Sequence, residues 1–176
     1  MQPLTTDRLA LRPFCIDDVE GAFGFFADPE VMHFSLNGPH PSRKQTEDFI
    51  AANINRQARL GFSIWAVIEQ AGGDLVGMSG LAEFGHGVPG IELAYRLRRD
   101  RWGRAYATEA GRAAVAHAFG PLELDRLIAA VEPANTPSIH VLEKCGFVFV
   151  EDRNLGGKDA LGYELHGPGA NSASAN

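Results

Sequence analysis

Hydrophobic and polar positions change period several times along this chain, and the changes mark its elements. In RLALRPF (8–14), Leu9 and Leu11 alternate with Arg8, Ala10 and Arg12, the period-two pattern of a half-buried strand that stops at Pro13. Beyond Asp17 and Asp18, either of which can cap, Val19, Ala22, Phe23 and Phe26 recur at helical spacing up to Asp28-Pro29. A second helix opens with Ser42 and Gln45 in capping-box spacing and runs through Phe49, Ile50 and Ile54 towards Gly61. Pro29, Gly38, Pro39 and Pro41 make residues 28–42 a loop.

From Phe62 the texture becomes β-rich: FSIWAVI (62–68), LVGMSGLAEF (75–84) and IELAYRL (91–97), separated by Gly72-Gly73 and by GHGVPG, predict an antiparallel meander. Between Arg104 and Phe119 small apolar residues at 107, 110, 111, 114, 115 and 118 form one stripe of a helix able to approach a sheet closely, and Gly120-Pro121 ends it. DRLIAAV (125–131) is a further strand, and Thr136 to Cys145 a helix with Pro137 in its first turn and Gly146 as its cap. FVFVEDR and a strand near LGYELH complete the chain. The order βααβββαβαββ predicts one α/β domain over residues 1–166: a mixed, mostly antiparallel twisted sheet of about seven strands flanked by about four helices. The small, polar 167–176 is expected to be a disordered tail.

Composition narrows the function classes. A formal net charge of −6 opposes nucleic acid or anionic membrane as partner, because gripping phosphate needs clustered cations. Arg96, Arg98, Arg99, Arg101 and Arg104 form the one basic run, either a solvated loop or an anion site. Cys15 and Cys145 make no metal-ligand pair with the scattered histidines, so no metal is expected. No leader pattern and no apolar run near the roughly 18 residues of a span is present, which predicts a cytoplasmic protein, monomer or homodimer.

The segment that carries chemistry is IELAYRLRRDRWGRAYATEAGRAAVAHAF, a strand, an arginine-rich loop and a helix entered through Gly103, Ala105 and Ala107. Small residues at a helix entrance let a ligand reach the backbone N–H groups, where the helix dipole favours an anion such as a pyrophosphate. Neither the Gly-x-Gly-x-x-Gly of dinucleotide folds nor a P-loop is present, and a plain strand-to-helix connection is the competing reading.

With TDRLALRPF and DPEVMHF before it and VEPANTPSIHVLEKCGF after it, this segment resembles the GNAT acetyltransferase superfamily, in its ribosomal-protein N-terminal acetyltransferase-like branch. The resemblance implies an enzyme moving the acetyl group of acetyl-CoA to an amine, with a non-catalytic acyl-CoA sensor as the alternative. The family's Gln/Arg-x-x-Gly-x-Gly/Ala signature falls on Trp102, Gly103, Arg104, Ala105, Tyr106 and Ala107, with Ala105 where glycine is expected. If residue 105 is ordinary helix, alanine is harmless there, and that is the expectation. The resemblance implies amides of Arg104 to Thr108 on the pyrophosphate, strand residues Tyr95, Arg96 and Leu97 pairing with pantetheine, and Asn135 contacting the cofactor or ordering the site.

Glu92 is the candidate base. Alternation puts Glu92, Ala94 and Arg96 on one face and Ile91, Leu93, Tyr95 and Leu97 on the other. Arg96 lies about 13 Å along the strand from Glu92, too far for a direct pair, so the carboxylate is free to have a raised pKa and to take a proton from an ammonium group. By resemblance Ser138 protonates or orients the departing thiolate; the tyrosine many GNAT enzymes carry one turn later is Leu142 here. The acceptor is expected to enter between residues 28–42 and a loop around Asn154 to Ala160.

Overall fold

A computed structural model describes residues 3–85 and 89–168. His86 and residues 169–176, most of the expected tail, lie outside them. One sheet holds eight strands: β1 (Leu4–Thr5), β2 (Leu9–Pro13), β3 (Ile64–Glu69), β4 (Leu75–Glu83), β5 (Ile91–Leu97), β6 (Arg126–Val131), β7 (Val148–Leu155) and β8 (Lys158–His166). Their spatial order is β1-β2-β3-β4-β5-β6-β8-β7. Every pairing is antiparallel except β5 with β6. The strand beyond the expected seven is β1, two residues too short to show a period.

Helices α1 (Val19–Phe26) and α2 (Arg43–Leu60) cover one face; α3 (Tyr106–Phe119) and α4 (Thr136–Lys144) cover the other. Burial explains the division. Phe25, Phe26 and Ile50 pack on Ile64, Ala66, Met78 and Ala82, whereas Trp65, Val67, Val76, Leu81 and Leu93 meet α3 and α4. Alternate residues of one strand therefore supply two cores, and β4 is buried along nearly its whole length. The small stripe of α3 permits the close approach: a methyl group at Gly111 would come within 3.0 Å of the Cys145 sulfur.

Local signals for α2 act as read: the Ser42 hydroxyl accepts from the Gln45 amide, and Gly61 closes the helix at φ 79°. Asp18 does not cap α1 with its side chain. Its carboxylate instead receives both terminal nitrogens of Arg12 and the Cys15 amide, fixing the 3-10 turn before the helix. Residues 154–160 are the tip of the β7–β8 hairpin, not an open loop, because Gly156 and Gly157 both take positive φ and turn the chain in two residues.

Candidate functional site

The site begins where the sheet opens. β5 and β6 run parallel but pair at a single register position, Glu92 with Ile128, and then diverge towards their carboxyl ends. The loops entering α3 and α4 lie at those ends, the usual place for a ligand in a parallel unit. Backbone alternation decides what faces the gap. Arg98 N–H donates to Val76 O at 2.8 Å, so Arg98, Arg96, Ala94 and Glu92 spend their main-chain groups on β4. Tyr95 and Leu97, between them, turn theirs towards the gap, where Leu97 O accepts from Trp102 Nε1 at 3.0 Å. Arg96 thus differs from its two neighbours: its backbone is occupied and its side chain lies on the α1/α2 face.

The loop after β5 forms the anion-facing end. Gly103 has φ 73°, and Ala105, the residue before α3, has φ 60° and ψ 15°. This corrects the expectation that residue 105 is ordinary helix and that the helix opens at Arg104: the left-handed residue delays α3 to Tyr106. Left-handed residues alternating with right-handed ones turn successive N–H groups into one concavity. Among the described residues none of the N–H groups from Gly103 to Thr108 donates a hydrogen bond, so six amides and the positive end of α3 face the same space. Trp102 is half exposed above it.

The basic run is mostly neutralised. Arg98 pairs with Asp100, Arg99 with Glu30, and Arg101 with Glu69, Asp74 and Asp100; of the four arginines after β5 only Arg104, half exposed and 3.7 Å from Glu69, keeps much of its charge for solvent. Anion binding at this loop therefore belongs to main-chain amides more than to guanidinium groups.

The other wall of the gap is the start of α4. Asn135 is its N-cap, accepting the Ser138 amide on Oδ1 at 3.3 Å. Ser138 Oγ lies 2.8 Å from the Tyr95 hydroxyl, which also donates to Ser138 O at 2.9 Å. The Tyr95 phenol thus crosses the gap to α4. Burial holds it well above the ordinary tyrosine range, so it stays a neutral donor. Leu142, at the position of the usual tyrosine, is buried in the core. The role of the Tyr95 side chain was missed in the sequence; its place on the α3/α4 face was legible, but its meeting with a residue 43 positions away was not.

On the opposite face stands Glu92. Burial pushes its carboxyl up to about 7, against a smaller opposing effect of Arg56, and it makes no hydrogen bond or ion pair with the described residues. A carboxyl with that value is poised to exchange a proton at neutral pH. An open cleft of about 690 Å³, lined by Glu20, Gly24, Phe25, Asp28, Arg98 and Asp100, lies between α1 and the residues after β5. The gap itself presents amides and hydroxyls towards α3 and α4 and an unpaired carboxyl towards α1 and α2. No group of side chains able to hold a metal ion occurs among the described residues, and no described helix is long and apolar enough to cross a membrane.

Comparison with known proteins agrees with this geometry. The acetyltransferase (GNAT) domain model matches residues 8–148. The protein YkkB of Bacillus subtilis is 30% identical over 92% of this chain and 94% of its own. The crystal structure of an acetyltransferase from Agrobacterium tumefaciens superposes with a TM-score of 0.81 at 28% identity, over 94% of this chain and 95% of that one. In fold alone the chain is similar to RimL, a ribosomal L7/L12 α-N-protein acetyltransferase solved in complex with coenzyme A, with TM-score 0.81 and 16% identity over 94% of this chain and 98% of that one. With the split sheet, the amide-lined helix entrance and this match, the chain belongs to the GNAT acetyltransferase family and is an acetyl-CoA-dependent acyltransferase.

Proposed function

We propose that acetyl-CoA lies in the gap between β5 and β6 and that a primary amine, of a small molecule or a protein N-terminus, attacks its thioester directly from the α1/α2 side. The observation carrying this reading is the placement of an unpaired carboxyl at the point where the strands separate, opposite a hydroxyl pair. Amides 103–108 hold the pyrophosphate, with the Arg104 side chain beside them, Trp102 roofs the loop, and the inward main-chain groups of Tyr95 and Leu97 pair with the pantetheine amides. Asn135 fixes the first turn of α4.

In the reaction Glu92 takes a proton from the ammonium group, directly or through water, leaving a lone pair on nitrogen. That nitrogen bonds to the acetyl carbon, the C–S bond breaks, and the sulfur leaves as thiolate. Ser138 or Tyr95 gives the thiolate a proton, and the acylated nitrogen sheds its second proton to become the amide. That proton restores the hydrogen-bonded hydroxyl pair through solvent, so the one proton left over is the one Glu92 took and later releases to water. A donor held at a developing charge away from water is worth more than the same donor in solution.

The test is release of free CoA thiol when the protein meets acetyl-CoA and a panel of amines, beside the melting temperature with and without CoA. A ligand of the folded state at a hundred times its Kd stabilises by about 2.7 kcal/mol. Thiol release that depends on one acceptor class, together with a clear rise in Tm, is the expected outcome. No thermal shift at millimolar CoA, or no amine raising the rate above plain hydrolysis, would sink the reading.

A further inference from the structure

Arg96 stands apart from every other arginine near the site. Arg98, Arg99, Arg101 and Arg104 each approach a carboxylate, whereas Arg96 makes no hydrogen bond or ion pair with the described residues. It is also partly buried, and that burial brings its pKa down to about 10. A partly buried guanidinium with five donors and no acceptor among the described residues is a ready partner for an anion that comes to this face.

Its surroundings within the chain do not supply one. Arg96 lies across from Met78 on β4 and two residues from Ala94, both in the apolar layer under α1 and α2. The charged or titratable groups near it on this face are His40 and, along the strand, Glu92. His40 stacks on Phe26 and shares a 2.8 Å hydrogen bond between Nδ1 and the Thr46 hydroxyl. Burial and then the charge of Arg96 hold the imidazole neutral. Glu92 is four residues away, about 13 Å along an extended strand. One face of β5 therefore carries a carboxyl and a guanidinium that have no ion-pair partner among the described residues, four positions apart along the strand.

We propose that the acceptor is an amine that also bears a carboxylate, its amino end at Glu92 and its carboxylate on the guanidinium of Arg96. This rests on the acetyl-transfer reading above for the amine end. A planar guanidinium accepts a carboxylate bidentately, which fixes direction as well as charge. A zwitterion brings a cation to Glu92 and an anion to Arg96; Arg56 of α2, whose charge also reaches Glu92, is itself engaged by Glu83 and Asn53. A polyamine would instead bring a second cation against Arg96, and a phosphate monoester would bring more negative charge than one guanidinium offsets.

The experiment pairs amino acids with their own carboxamides as acceptors, in wild type and in Arg96→Met. For the wild type kcat/KM should favour the acid over the amide by about 10²-fold, the size expected for one charged hydrogen-bonded contact. In Arg96→Met that ratio should fall to near one, through KM. Should this variant not fold, Arg96→Lys, which keeps the charge without the fork, should lower the ratio without abolishing it. In parallel, with CoA saturating, amino acids should raise the melting temperature of the wild type and their amides should not. Amines acetylated with equal efficiency as acid and amide, or a preference for polyamines, would overturn the proposal while leaving acetyl transfer intact. If no amine is acetylated, the carboxylate-dependent thermal shift and its loss in Arg96→Met decide the role of Arg96 by themselves.

Discussion

Glu92 shows how much one side chain can be asked to do. Folding moves its carboxyl from an ordinary 4.5 to about 7, so the folded protein prefers it protonated. That preference is met in full below pH 4.5, is lost as pH rises towards 7, and above 7 the ionised group costs about 3 kcal/mol. Glu92→Gln should therefore gain stability at pH 8 and very little at pH 4.5, a difference that urea unfolding at the two values would measure. The same substitution should lower kcat by about 10²–10⁴-fold while CoA still raises Tm. A variant with near-wild-type kcat would place the base elsewhere. Alternation along IELAYRL was enough to find Glu92 and to separate it from Arg96. It could not reveal the Tyr95 hydroxyl against Ser138, because that contact joins elements distant in sequence.

At the scale of an element, the entrance to α3 departs from its expected form at one residue. Ala105 sits at φ 60°, where an L residue with a Cβ is disfavoured by about 1–2 kcal/mol. Glycine is free of that strain but loses about 0.5–1 kcal/mol more to chain entropy on folding. Ala105→Gly should then stabilise the protein by about 0.5–1 kcal/mol, opposite in sign to a glycine placed inside a helix. A higher denaturant midpoint at constant m would bear this out; a lower one would show that residue 105 is helical after all. CoA affinity should change little, since alanine already holds the concave backbone.

Across the whole molecule the two faces respond to acid together. His40 under α1 and α2, and His117 beside Trp65 on the α3 side, both have pKa values lowered first by burial, and both ring nitrogens of His117 are buried without a partner among the described residues. Folding favours their neutral forms, so the stability they allow is complete above an ordinary 6.5 and declines as pH falls below it. Glu92 works in the opposite direction between 7 and 4.5 and would mask part of the decline. In a Glu92→Gln background, melting temperature between pH 7 and 5 should fall more steeply than in wild type, and His117→Leu should make that fall shallower. Identical slopes in all three proteins would mean that these groups do not titrate with folding.

The sequence by itself determined what short-range periodicity can express: the four helices, the β-rich middle, the cap at Ser42, the small face of α3 and the two faces of β5. Hydrophobic period and capping chemistry are properties of neighbouring residues, so they survive without knowledge of the fold. Tertiary structure alone decided that β8 enters the sheet between β6 and β7, that β5 and β6 part after Glu92, and that Asp18 serves Arg12 instead of capping α1. It also decided that the arginines of residues 98–104 are largely offset by acids from elsewhere in the chain while Arg96 is left alone on the other face. Most of these are pairings between segments distant in sequence, and the short-range ones, Asp18 with Arg12 and Arg98 with Asp100, are choices among several possible partners, so neither kind leaves a period to read.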